Sequence, residues 1–197
     1  MNPRPWTAVL KFGCMNAIRM LVQHPILAGC LTHDRDMPII ELSTLINAPR
    51  ERVFDLARSI DARQNSTHGT QERAVAGVTS GLIGMNDEVT WEARHFGVRQ
   101  RLRVRVTAFN RPQHFQDIMV AGAFKRMKHD HEFLEDRYGT RMIDRFEFQS
   151  PFGLLGSFVD RLFLTKYMRR FLLQRNAILK EWAESDAWRP YLDRATV

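Results

Sequence analysis

The sequence predicts an α+β fold that runs in the order one strand, two short helices, a series of antiparallel strands and a long C-terminal helix. Three observations support this. Polar and apolar side chains alternate along much of residues 37–150, the period of half-buried strands. After Ser150 the apolar spacing changes to three and four residues, the period of an amphipathic helix. The composition, 44% hydrophobic and 26% charged over 197 residues, is that of an ordinary globular chain able to bury a sizeable core within one domain.

Residues 1–36 stand apart as an N-terminal extension. Their most apolar stretch, WTAVLKFGCMNAIRMLVQHPILAG, is interrupted by Lys11, Arg19, His24 and Pro25 before it reaches the roughly 20 apolar residues that a bilayer requires. The same interruptions make it a poor secretory segment. Two readings stay open. Residues 8–22 form a short amphipathic helix, packed on the domain or lying on a membrane surface, or the natural protein starts at Met37, just before the first convincing strand. Cys14 and Cys30 are too few for a disulfide framework or a four-thiolate zinc site, so a reducing, cytoplasmic location is expected. The formal charge of +7 bears on solubility and encounter rates, and leaves the fold open.

In PIIELSTLINAP, Ile40, Leu42, Thr44 and Ile46 alternate with Glu41, Ser43 and Asn47, with Leu45 out of step. Pro49 suits the first turn of a helix that presents Val53, Phe54 and Ala57 on one face, and a second helical piece spans residues 60–64 before STHGT breaks it. ERAVAGV resumes strand character. The glycines at 77, 81 and 84 lack the Lys-Ser/Thr pair of a phosphate loop and follow no dinucleotide pattern, so they punctuate a turn.

VRQRLRVRVTAF places Arg99, Arg101, Arg103 and Arg105 at alternate positions, either as a rail for phosphates or as the wet face of a sheet. A tight turn at Phe96 and Gly97 sets Glu92 opposite Arg101 and Glu88 opposite Arg105, while Trp91 meets Leu102 and Val89 meets Val104. Both faces are then consistent, which favours the solvated face, with cross-strand pairs each contributing about 0.2 to 1 kcal/mol. Arg94, Arg99 and Arg103 have no acidic neighbour in this register. No recognition helix, zinc module or aromatic-lined basic groove accompanies them, and nucleic acid is not an expected partner.

The next two hairpins carry the chemistry. Outward Lys128, Asp130 and Glu132 turn Met127, His129, His131 and Phe133 inward, and the parity of Phe115 and Met119 brings Asp117 with them. A turn around Ala123 sets Asp117 opposite His129. A turn at Arg137, Tyr138 and Gly139 sets Asp144 opposite His131, with Met142, Phe146 and Phe148 on the same face. These His/Asp pairs read first as a satisfied polar ladder, and second as catalytic candidates tuned by burial and neighbouring charge. Two histidines and two carboxylates also suit zinc or iron, but the spacing is weak evidence and no metal or other cofactor is expected.

SPFGLLGSFVDRLFLTKYMRRFLLQRNAILKEWAES reads as one long amphipathic helix of roughly 40 Å. Leu155, Phe158, Val159, Leu162, Phe163, Met168, Leu172, Ile178, Leu179 and Trp182 carry its apolar pattern. Arg161, Lys166, Arg169, Arg170, Arg175 and Lys180 are expected on its solvated face, with peripheral contact to anionic lipid as the other use. The domain is drawn over 37–185, leaving 186–197 as a tail.

Residues 38–185 resemble the SRPBCC superfamily. This is the helix-grip fold of START lipid-binding domains, birch-pollen-allergen-like (Bet v 1-like) proteins and aromatic polyketide cyclase/dehydratases. The phrases that carry the resemblance are NAPRERVFDLARS, TWEARHFGVRQRL, FQDIMVAGAFKRMKHDHEF and FEFQSPFGLLGSFVDRLFL. They are similar to bacterial members described only as ligand-binding or cyclase/dehydrase-like, with no catalytic signature to carry over.

The resemblance implies a curved sheet wrapped around the long helix, with a cavity between them. Its expected lining begins with Leu42, Thr44, Val89, Trp91, Gln100 and Leu102. It continues through Phe115, Asp117, Met119, His129, His131, Asp144 and Phe146, with Leu162 from the helix. A small hydrophobic molecule, lipid-like or aromatic, is the expected partner, in an unspecified oligomeric state. The leading expectation is a non-catalytic binder or carrier. The alternative is a cyclase/dehydratase-type lyase that uses His129, His131, Asp117 and Asp144 for general acid-base chemistry.

Overall fold

A computed structural model describes residues 38–149 and 163–193. The N-terminal extension, the start at Met37 and helix positions Leu155, Phe158, Val159, Arg161 and Leu162 lie outside the described residues. Strand β1 (Ile39–Ile46) leads into α1 (Arg50–Ala57) and α2 (Ile60–Ser66), then a 3-10 turn at His68–Thr70. Strands β2 (Arg73–Gly77), β3 (Glu88–His95), β4 (Val98–Asn110), β5 (His114–Ala121), β6 (Arg126–Asp136) and β7 (Gly139–Gln149) follow. Two helices end the described chain, α3 (Thr165–Glu184) and the single turn α4 (Arg189–Leu192).

All seven strands form one antiparallel sheet in the order β1-β7-β6-β5-β4-β3-β2. The curved sheet with α3 against its apolar face is the helix-grip arrangement. Strand alternation sets the two faces. In the β3–β4 hairpin Trp91 pairs with Leu102 and Val89 with Val104, while Glu92 and Glu88 face Arg101 and Arg105. Trp91 is 2% exposed, and the Arg101 side chain is 70% exposed, so the guanidinium row lies in water. Arg99, expected to lack an acidic neighbour, lies 3.6 Å from Glu92.

The turn from β6 to β7 crosses the end of β1, and this close approach requires glycine. Gly139 has φ of 128°, and a Cβ there would sit 2.3 Å from the Ile46 carbonyl oxygen.

Helix α3 is 20 residues long, about 30 Å. Its buried stripe is Leu172, Arg175, Asn176, Leu179 and Ala183. The expectation of a solvated Arg175 is corrected here. The position falls between Leu172 and Leu179 on the inward face, and the side chain donates from Nη2 to the Ala57 carbonyl at 3.2 Å. Beyond the helix, the Tyr191 ring stacks on Trp182 at 4.9 Å.

Two apolar clusters result. One surrounds Phe54, whose ring meets Phe109, Phe115 and Phe133 edge-on at 5.5, 5.4 and 5.2 Å. The other gathers Leu42, Val89, Trp91, Val104, Met127 and Phe146 beneath Leu172. Phe54 is fully buried and joins α1 to β4, β5 and β6. Phe54→Ala is therefore expected to cost about 3–5 kcal/mol, read from the urea unfolding midpoint, with Phe54→Leu milder. A loss below about 1 kcal/mol would mean that the cluster collapses around the gap.

Candidate ligand cavity and its polar floor

A cavity of about 320 Å³ opens between α3 and the sheet. Trp91, Leu102, Met127 and Phe146 from the strands, Phe124 from the β5–β6 turn, and Met168, Phe171 and Leu172 from α3 give it apolar walls. Phe96, Phe163 and Tyr167 also line it. There His95 Nδ1 and the Tyr167 hydroxyl lie 2.7 Å apart, tying the β3–β4 hairpin to the helix. Arg63, Glu72, Gln100, Asp117, His129 and Arg175 supply the polar side chains.

Behind His129 the floor converges on Asp144, which is 1% exposed. His131 Nδ1 lies 2.5 Å and His129 Nε2 lies 3.2 Å from Asp144 Oδ1. Neither ring N–H is aimed well enough to make an aligned hydrogen bond. Asn176 Nδ2 on α3 does donate to Asp144 Oδ2, at 2.5 Å. The imidazoles pack with centroids 3.8 Å apart, and Phe115 stacks on His131 at 4.3 Å.

Charge and burial compete in this floor. Burial opposes ionisation of Asp144, but the adjacent His131 and His129 outweigh it and hold the carboxyl well below its usual range. Burial, reinforced by His129, pushes His131 down to about 4 against the pull of Asp144. Burial, then the neighbouring Arg63 charge, lowers Arg175, with Asp144, Glu72 and Asp117 acting the other way.

The registers place Asp117 opposite His129 and Asp144 opposite His131, as the alternation predicts. The contacts differ for the first pair. His129 turns its Nε2 to Asp144, and Asp117 Oδ1 is buried without a hydrogen-bond partner. Of the remaining expected lining, Trp91, Gln100, Leu102, Asp117, His129 and Phe146 reach the cavity. Phe115 and His131 border only a small void behind it. Leu42 and Val89 are consumed by core packing, while Thr44 and Met119 are half-buried away from the wall. Leu162 lies outside the described residues.

The sequence reading missed Arg63, Glu72, Arg175 and Asn176. For the last two a signal existed, because both continue the Leu172–Leu179 inward stripe. One ligand atom each from Asp117, His129 and His131 lies within 4.8 Å of the others. The Arg175 charge beside Asp117 and His131 raises the cost of a cation there.

The family model for polyketide cyclase / dehydrase and lipid transport matches residues 37–184. The chain belongs to this family. Solved structures of similar fold include TTHA0849 from Thermus thermophilus, at 20% identity and TM-score 0.61, covering 73% of this chain and 95% of that one. The major latex-like protein 151 of Panax ginseng matches at 12% identity and TM-score 0.57, over 75% and 97% of the two chains. The di-domain ARO/CYC StfQ from the steffimycin biosynthetic pathway matches at 11% identity and TM-score 0.62, over 84% of this chain and 54% of its own. No match is found among curated proteins.

The family fold here carries a pH-dependent element. His131 titrates near 6.5 when unfolded and near 4 when folded. Between those values the unfolded state holds the extra proton, so stability falls as the pH drops from 6.5 towards 4, by up to about 3 kcal/mol. Urea unfolding at steps across this window is expected to show that slope, and His131→Gln to flatten it. An unchanged slope in the variant would remove His131 as its source.

Proposed function

We propose that the protein binds and carries a small hydrophobic molecule, lipid-like or aromatic, in the cavity between α3 and the sheet. The observation that carries this reading is an apolar chamber of about 320 Å³ that meets a polar floor at its inner end. The volume is at the small end of ligand pockets, which run from roughly 300 to 1,000 Å³. Buried atoms of four lining residues, Arg63 Nε, Glu72 Oε2, Trp91 Nε1 and Asp117 Oδ1, have no hydrogen-bond partner among the described residues. The polar side chains in the floor suit an occupant with a hydroxyl or carbonyl group better than a purely hydrocarbon one. The family description, which names lipid transport beside cyclase and dehydrase activity, supports the same class.

A cytoplasmic carrier acting without cofactor or nucleic acid is the simplest form of this proposal. Among the described residues no helix is long and apolar enough to cross a membrane.

One observation favours an enzyme as the second reading. His129 borders the cavity with Asp144 Oδ1 3.2 Å from its Nε2, close enough that a small rotation of the ring would make it an oriented general base. Titration with an environment-sensitive hydrophobic fluorophore tests the carrier. Saturable one-to-one binding is expected, abolished by Leu102→Arg, which fills the chamber. Binding that persists unchanged in that variant would place the site elsewhere. For a cyclase/dehydratase, His129→Gln should cut turnover of a poly-β-keto substrate about 10²–10⁴-fold while fluorophore binding survives.

A further inference from the structure

The rim of the cavity exposes more aromatic surface than a tight hairpin turn needs. Phe96 occupies the tip of the β3–β4 hairpin with φ of 52°, a left-handed backbone that glycine or asparagine adopts cheaply and a bulky side chain does not. Its side chain nevertheless faces solvent. Phe96 is 54% exposed, Val98 59% and Phe163 57%. Phe163 and Tyr167 stand 5.2 and 4.5 Å from the Phe96 ring, so the three rings form one patch. All three line the cavity. A phenylalanine kept at a turn position that glycine or asparagine fills more cheaply, with its ring half in water, points to a partner for that ring.

The neighbouring charges identify the partner. A shallow groove beside the tip is bordered by Arg73, Arg94 and Arg99, with Glu92 between them. Arg73, Arg99 and Arg101 all approach Glu92, at 3.9, 3.6 and 3.0 Å. Arg94 Nε donates to the Gly97 carbonyl at 3.1 Å. One carboxylate is thus shared by several guanidiniums, leaving a surplus of positive charge next to an apolar tip. Lys166 and Arg170 are exposed on the first turns of α3, just after Phe163. Aromatic side chains settle at the water–lipid boundary, and clustered cations beside them are drawn to acidic headgroups.

We infer that this rim docks on an anionic lipid bilayer, with Phe96, Val98 and Phe163 entering the acyl boundary and the arginine groove taking headgroup phosphates. The docking rests on the reading of the cavity as a ligand chamber, because it opens that chamber onto the lipid phase. It also gives a use to Arg94, whose guanidinium meets only the Gly97 carbonyl among the described contacts, and to Arg99, which shares Glu92 with two other arginines.

The test is cosedimentation of the full chain with vesicles of phosphatidylcholine alone and with added phosphatidylglycerol, at low and high salt. Fluorophore titration in solution runs beside it, and Arg94→Glu/Arg99→Glu and Val98→Asp are compared with the parent. The acidic vesicles should bind roughly tenfold or more tightly than the neutral ones, with binding weakened by salt and reduced roughly tenfold by either variant, while fluorophore affinity stays unchanged.

Equal binding to both vesicle types, or variants that sediment like the parent, would overturn the docking. Displacement by inorganic phosphate at matched ionic strength would assign the groove to a free anion, and tighter binding of an oligonucleotide through the same arginines would assign it to nucleic acid. Either outcome overturns the proposal. Fluorophore uptake without vesicle binding removes the docking alone, whereas vesicle binding without uptake removes the chamber reading.

Discussion

The most deeply buried of the described carboxylates, Asp144, organises the interior. Asp144 on β7 receives His129 and His131 from the adjacent strand and Asn176 from the helix that crosses the sheet. A carboxylate at 1% exposure is costly unless neighbours replace its lost hydration. Here those neighbours come from β6 and α3, so the charge can be kept only when the helix and the sheet are both in place. Breaking such a buried arrangement on one side typically costs about 3–5 kcal/mol, because the other members are left unpaired. The floor thus fixes the helix relative to the sheet by penalising every other placement.

That polar layer also explains why the interior is divided. On one side the Phe54 cluster closes into a tight aromatic nest with rings about 5 Å apart. On the other, α3 and strands β3–β7 leave the cavity open, and the polar side chains of Asp117, His129 and Arg175 line it. A continuous apolar core would favour closure of that gap. A row of charged groups that satisfy one another only in part does not.

Much of the fold was legible because strand parity is a strict constraint. The placement of Trp91 against Leu102, Glu92 against Arg101 and Asp144 against His131 follows from alternation and turn length, and the registers agree. The floor was less legible. Register says which residues stand opposite one another, but His129 reaches past its partner Asp117 to Asp144, a choice made by side-chain torsions and by Asn176 arriving from more than thirty residues away. Arg175 was misassigned because its charge was weighed above its place on the stripe through Leu172 and Leu179. The exposed ring of Phe96 had no signal in periodicity at all, since a turn residue belongs to neither face.

The proposed function turns on whether the space between α3 and the sheet holds a hydrophobic guest. Native mass spectrometry of the chain purified from its own host without detergent tests it most directly. A discrete small-molecule adduct at one per chain is expected, or its restoration when a lipid-like or aromatic compound is added to the bare protein. A chain that stays at its bare mass, and takes up no such compound at neutral pH, would contradict it.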